Sequence, residues 1–475
     1  MGNSGSSGKN DFQGIFGDMA KRFLVYICLF ILFLPLISTA APPDDSYPLP
    51  LNLTDAFRLA LEKNPTLEAG RARQDAAKAI AMQTLKGYLP TVSFDTNYVR
   101  FDGSLISDVY VPILDSPSLI PPIVRQDLGP VDAYLSGFQV IQPLINIEAW
   151  NARQQANRAI TAAGFAVSQG ERELALMLIE AYYGVMVAEE LLKVEKSAYL
   201  AAEKTVRLAE SMFDEGLVAP VDVYGARAQM FEFKSRVSSA EGQIAVAMAQ
   251  LQRIIGLEGD IRITLTDAIP DPPEVMPEKG VTCENIDRRM DIRAQKEILA
   301  SAEAGVDRAN AGYLPRLNVV GRYQWIDQHT FLGSENDLWM VGVNLHWTIF
   351  AGMHRSGVIA QAEAKKRRQQ AALAELRHAA RAEAKSSEAQ WHTAMHRWGY
   401  SKMSAENAAA ALTQTMGRYS EGIDGITELL RARAEDLKAK TLQADARYQA
   451  VLAAHRYRLS ALAAHPMENL MEDLP

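Results

Sequence analysis

His392 and His396 stand four residues apart, the spacing that puts two imidazoles on one helix face within reach of a single metal ion. No acidic or cysteine ligand completes the set nearby, and the adjoining Met395 and Trp398 point to packing, so no metal centre is expected. Asp424 and Glu428 are also four apart, just after an expected helix start. Two carboxylates there either complement the helix dipole or, repeated around a constriction, form a cation-binding ring. Both readings fit the residues. The chain carries no glycine-rich phosphate loop, no nucleophile elbow and no paired carboxylates placed for catalysis. The expectation is therefore a protein that is not an enzyme and holds no cofactor.

Bulk properties narrow the field further. The net charge of −8 comes without a basic block, which makes nucleic acid an unfavourable partner. Of the two cysteines, Cys28 lies in an N-terminal apolar run, leaving Cys283 alone. A disulfide framework and a zinc cluster are both excluded. Lys21 and Arg22 precede an apolar core from Phe23 to Ile37, and Ser38-Thr39-Ala40 follows with small residues. That is the pattern of an export signal ahead of a cleavage point, with 1–18 as an extension in front of Met19.

The elements that must position the tip carboxylates are two rods. Between Pro143 and Pro220 the chain has no proline, and Val185, Leu192, Tyr199, Val206 and Phe213 recur every seven residues. Leu191, Val194, Ala198, Ala201, Leu208 and Met212 form a second seam beside them, interrupted at Thr205. Such repeats predict a helix packed lengthwise on both flanks. A helix over 147–215 would be roughly 100 Å long at about 1.5 Å per residue. A second rod is expected over 353–421.

Shorter elements precede each rod. Helices begin at Leu53-Thr54-Asp55 and at Asn64-Pro65, and Gly87-Tyr88-Leu89-Pro90 ends the second. From there Val92, Phe94, Thr96 and Tyr98 alternate with Ser93, Asp95 and Asn97, giving a strand over 91–101. A Pro- and Asp-rich loop from Asp102 to about Pro130 leads to a second strand over 134–144. Gly312-Tyr313-Leu314-Pro315 repeats the earlier strand start and opens a third strand over 316–327. In the fourth, over 338–350, Trp339, Val341, Val343, Leu345, Trp347 and Ile349 alternate with Gly342, Asn344, His346 and Thr348. The chain thus reads as a duplication. The expected divisions are an extension and signal over 1–40, a first repeat over 41–255 with a return helix over 220–255, and a linker over 256–284. A second repeat follows over 285–465, with a return helix over 425–464, and then a tail over 466–475.

Alternating strands with aromatics near their ends are the pattern of a transmembrane barrel. Phe94, Tyr98, Phe138, Tyr323, Trp325, Trp339 and Trp347 are the lipid-facing belt candidates. Four strands cannot close a barrel and open edges are not tolerated in lipid, so several copies must share one; three would give twelve strands. The fold class is mainly α with transmembrane β: a barrel continued by a periplasmic helical barrel.

The paired Gly-Tyr-Leu-Pro strand starts, the two proline-free rods and the tips Phe213–Val218 and Tyr419–Ile423 resemble the TolC-like outer-membrane efflux family, over about 53–462. The resemblance implies a homotrimer in outer-membrane lipid that extends into the periplasm. There it would dock a periplasmic adaptor and an inner-membrane pump as the passive exit duct of an efflux or type I secretion system. Family members gate the tips with a tyrosine and acidic residues. Tyr419 matches the tyrosine and Glu428 the first acidic position, with Asp222 as the first-half counterpart of Glu428. Arg431 stands where the second acidic residue belongs, and Asp424 where a basic partner belongs. Apolar or small tip residues, Gly216, Leu217, Val218, Gly422 and Ile423, are candidates for adaptor docking or for plain helix capping. The alternative reading is a periplasmic coiled-coil adaptor or scaffold with no membrane barrel.

Overall fold

The computed structural model describes residues 49–101, 105–110, 123–128, 131–259, 261–273, 283–327, 329–333 and 336–461, and the architecture is that of the unit Pro50–Pro475. The expected export signal, with Lys21, Arg22 and Cys28, and the tail 466–475 lie outside the described residues.

Two short helices lead in, α1 (Leu53–Lys63) and α2 (Pro65–Gln83). The Asn52 side chain caps the first by accepting from the Asp55 amide, and Asn64 caps the second by accepting from Thr66 and Leu67. Strand β1 (Leu49–Leu51) precedes them. β2 (Thr91–Phe101), β3 (Leu105–Tyr110), β4 (Ile123–Leu128) and β5 (Val131–Ile145) follow. The first rod, α3 (Ile147–Asp214), has 68 residues, and the return helix α4 (Pro220–Ile255) has 36. β6 (Ile263–Leu265), α5 (Cys283–Arg288) and α6 (Met290–Ala311) lead to β7 (Arg316–Asp327) and β8 (Asn336–His346). The second rod, α7 (His354–Ser420), has 67 residues and returns as α8 (Ile426–Ala461).

Several elements differ from the sequence reading. The stretch read as a loop over 102–130 contains the antiparallel strands β3 and β4; neither LISDVY nor IVRQDL alternates apolar with polar residues, so the sequence shows no period of two there. The segment read as a plain linker pairs β6 with β1. The fourth strand stops at His346, so Trp347 and Ile349 continue the alternation after the chain has left the sheet. Thr205 does not interrupt the seam: it is buried, and its hydroxyl donates to the Ala201 carbonyl at 3.2 Å.

Val185 and Val206 are buried as the heptad predicts, whereas Phe213, at the last turn, is exposed. The rod α3 packs along α4, α6 and α2, and α7 packs along α8 and α6. The double stripe therefore meets helices on both flanks. Charged residues on the remaining face pair across the surface, as in Lys196–Glu241 at 3.0 Å and Arg227–Glu210 at 2.6 Å.

The largest core gathers where the linker wraps the first rod. Leu51, Phe57, Leu178, Tyr182, Val185, Leu251 and Ile255 are buried together. The Tyr182 hydroxyl lies 2.8 Å from Asp267 Oδ2 and 3.0 Å from the Leu51 carbonyl oxygen, and the Leu53 amide donates to the same carboxylate at 2.8 Å. One aspartate thus accepts from both the Leu53 amide and the Tyr182 hydroxyl and fixes the linker to α1 and α3.

Candidate functional site

The sheet is the first part of the site. Its order is β2-β5-β7-β8, all antiparallel. Phe94, Phe138, Tyr323 and Trp339 fall opposite one another across the four strands. The Phe94 and Phe138 rings are 5.1 Å apart, and Trp325 lies 6.0 Å from each on the same face. Tyr98 stands beside Tyr134 at 5.2 Å and donates to Asp132 at 2.8 Å. With Val92, Val140, Val341, Val343 and Leu345 these residues make one continuous exposed apolar face.

The opposite face carries the polar groups: Arg322 donates to Gln139 at 2.6 Å, beside Asp95, Asn97 and Gln324, with Leu338 and Met340 of β8 exposed at its edge. Gly137 is required where β5 meets β7, since a Cβ there would stand 2.5 Å from the Tyr323 carbonyl oxygen. An 11-residue strand is about 36 Å long, and a tilt near 45° reduces its height to about 25 Å, the apolar band of an outer-membrane barrel. Trp347 lies past the strand end, its indole N–H donating to the Tyr313 carbonyl at 3.0 Å. That places the ring at the rim. Among the described residues strands β2 and β8 are paired on one side only, leaving the sheet with two open edges.

The tips are the second part. Both rods end the same way. Leu217 N donates to Met212 O at 2.8 Å and Ile423 N to Arg418 O at 2.9 Å, with Gly216 (φ 76°) and Gly422 (φ 72°) in the left-handed region. This is the Schellman motif, which needs glycine at that position. The motif ordinarily folds the next apolar residue back onto the helix. Here Leu217 is 65% and Ile423 61% exposed, while Val218 packs against the tip core.

That core contains Val206, Ala209, Met212, Val223, Ile426, Leu429 and Tyr419. Tyr419 is 1% exposed, and its hydroxyl has no hydrogen-bond partner among the described residues. Burial raises its pKa, and the nearby Asp222 charge adds to the rise. Asp222 itself accepts from the Ala219 amide at 3.2 Å, capping α4.

Asp424 does not share a helix face with Glu428, because α8 begins only at Ile426. Arg418 grips the Asp424 carboxylate with two bonds of 2.8 Å, holding it below the usual carboxylate range. Glu428, in the first turn of α8, accepts from Arg431 at 2.5 Å. Each candidate carboxylate of the second tip therefore faces an arginine. Sequence reasoning missed Arg418, which stands on the rod side of the break rather than beyond the glycine. His392 and His396 are both exposed on α7; His392 lies against Trp391 and His396 stacks on Tyr400.

The profile of the family described as outer membrane efflux protein matches residues 56–257 and 284–462. The chain belongs to that family. It is 27% identical over 445 residues to the protein CyaE of Bordetella pertussis, covering 90% of this chain and 86% of that one. It is 22% identical over 325 residues to the outer membrane protein TolC of Vibrio cholerae, covering 66% and 68%. The Campylobacter jejuni outer membrane channel CmeC superposes with a TM-score of 0.72 at 15% identity, covering 89% of this chain and 88% of that one. Family members are channels rather than enzymes. The chain is an exit duct of the outer membrane that extends into the periplasm. Among the described residues no helix is long and apolar enough to cross a membrane.

Proposed function

We propose that the duct is gated at its hairpin tips and docks its adaptor there. Tyr419, Asp222, Asp424, Glu428 and Arg431, joined by Arg418, form the gate. Tyr419 anchors the end of α7 in the tip core, and the two arginine–carboxylate pairs close the turn without leaving a free acidic ring. Gly216, Leu217, Val218, Gly422 and Ile423 form the docking end, where two leucine-sized side chains stand in water beside a rigid turn. The duct is a homotrimer in outer-membrane lipid, coupled to a periplasmic adaptor and an inner-membrane pump in efflux or secretion. It is passive, with the pump supplying the energy.

The observation that carries the shared barrel in lipid is the four-stranded sheet, apolar on one face and, among the described residues, unpaired at both edges. In hydrocarbon each unpaired backbone group costs several kcal/mol, and three copies remove every edge. A periplasmic scaffold would leave the Phe94–Trp339 face in water. Extraction and mass measurement test the reading. Recovery only with detergent, as a particle of three chains, is expected; a stable water-soluble monomer overturns it.

A further inference from the structure

We infer that the junction of sheet and rods is a cationic collar that makes the duct anion-selective, an inference that rests on the duct reading above. An open groove of about 670 Å³ lies between the starts of α3 and α7 and the length of α6. Five cations line it, Arg308, Arg316, Arg355, Lys365 and Arg368, against one carboxylate, Glu148.

That carboxylate is already shared: Arg316 bonds it, and Arg308 lies 3.6 Å away. Arg355 lies over the Tyr313 ring at 5.2 Å. No carboxylate among the described residues pairs with Lys365 or Arg368. These two are three residues apart on α7, about 4.5 Å along its axis. That is well inside the Debye length of about 8 Å at physiological ionic strength, so their fields add.

The groove has a defined side. Arg316 falls opposite His346 across β7 and β8, on the sheet face that carries Arg322 and Gln139. Thr348, which also lines the groove, reaches back to His346 Nε2 at 3.2 Å. The cations therefore continue the polar face, away from the apolar belt. Lipid phosphates meet the other face, so the occupant is an anion in transit through the lumen. Three copies repeat the cations around one ring, the arrangement by which charged pores select anions.

Conductance of the purified trimer in planar bilayers under a potassium chloride gradient tests the inference. The reversal potential is expected on the chloride side, with inositol hexakisphosphate blocking from the extracellular side. Lys365→Gln/Arg368→Gln removes two exposed charges that hold no partner among the described residues, so the trimer should form as in wild type. Its chloride-to-potassium permeability ratio should fall about twofold or more, and Lys365→Glu/Arg368→Glu should reverse the preference. Potassium preference in wild type, or a ratio that neither variant moves, overturns the collar and leaves the duct standing. A trimer that conducts nothing even when Arg418→Ala loosens the tips overturns the duct and the collar with it.

Discussion

Arg418 holds Asp424 by two parallel 2.8 Å hydrogen bonds across the left-handed break at Gly422. A fork-to-carboxylate contact fixes the turn more firmly than a single charge pair would. If the tips are the gate, Arg418→Ala should loosen them and expose a free carboxylate in each copy. Single-channel conductance should rise, and a trivalent cation should block the variant more strongly than wild type. Equal conductance and equal block would remove this pair from the gate.

The same pair sets a pH dependence. Arg418 lowers the carboxyl pKa of Asp424, so the contact is complete above the ordinary carboxylate value of about 4 and is lost as pH falls through the lowered value. Conductance should therefore be steady down to about pH 4 and rise on further acidification, and Asp424→Asn should abolish that rise.

Tyr419 works through its ring. Its hydroxyl is buried with no partner among the described residues, so Tyr419→Phe should leave conductance unchanged and melting equal or slightly higher. Tyr419→Ala should cost about 3–5 kcal/mol locally, as for other buried aromatic truncations, and should make the tips leak. A leaking Phe variant would instead show that the hydroxyl takes part in a latch.

Leu217→Asp and Ile423→Asp place charges on side chains that touch little within the chain. Trimer yield should match wild type, while the adaptor that co-purifies with wild type should be lost. Retained adaptor would put the docking surface elsewhere.

Tyr182 gives the core beneath the linker an alkaline limit. Burial, then the hydrogen bond to Asp267, pushes its pKa far above the ordinary value near 10. A raised pKa contributes stability below about pH 10 that is lost as pH rises further. Melting temperature should fall above pH 10, and less steeply in Tyr182→Phe.

The rods and the two faces of the sheet were legible because both rest on periodicity: seven for Val185 to Val206, two for Phe94 to Tyr98 and for Trp339 to Leu345. The alternation at Trp347 and Ile349 shows the limit of that signal, since a pattern can outlast the strand that carries it. Strands β3 and β4 were hidden because neither alternates apolar with polar residues. The Arg418–Asp424 pair could not be read either, because the two residues are six apart and only the reversal at Gly422 brings them together. Phe213 and Tyr419 occupy matching places in the two repeats, yet one is 42% and the other 1% exposed. Duplication predicts the backbone at such positions, while burial depends on neighbours that the repeat does not share.

The unpaired outer strands β2 and β8 have a genetic consequence. Every wall is assembled from three polypeptides, so one faulty copy spoils the work of two sound ones. Gly137→Val, which would force a side chain into the Tyr323 carbonyl, should act dominantly: at equal expression only about one assembly in eight would contain no altered chain.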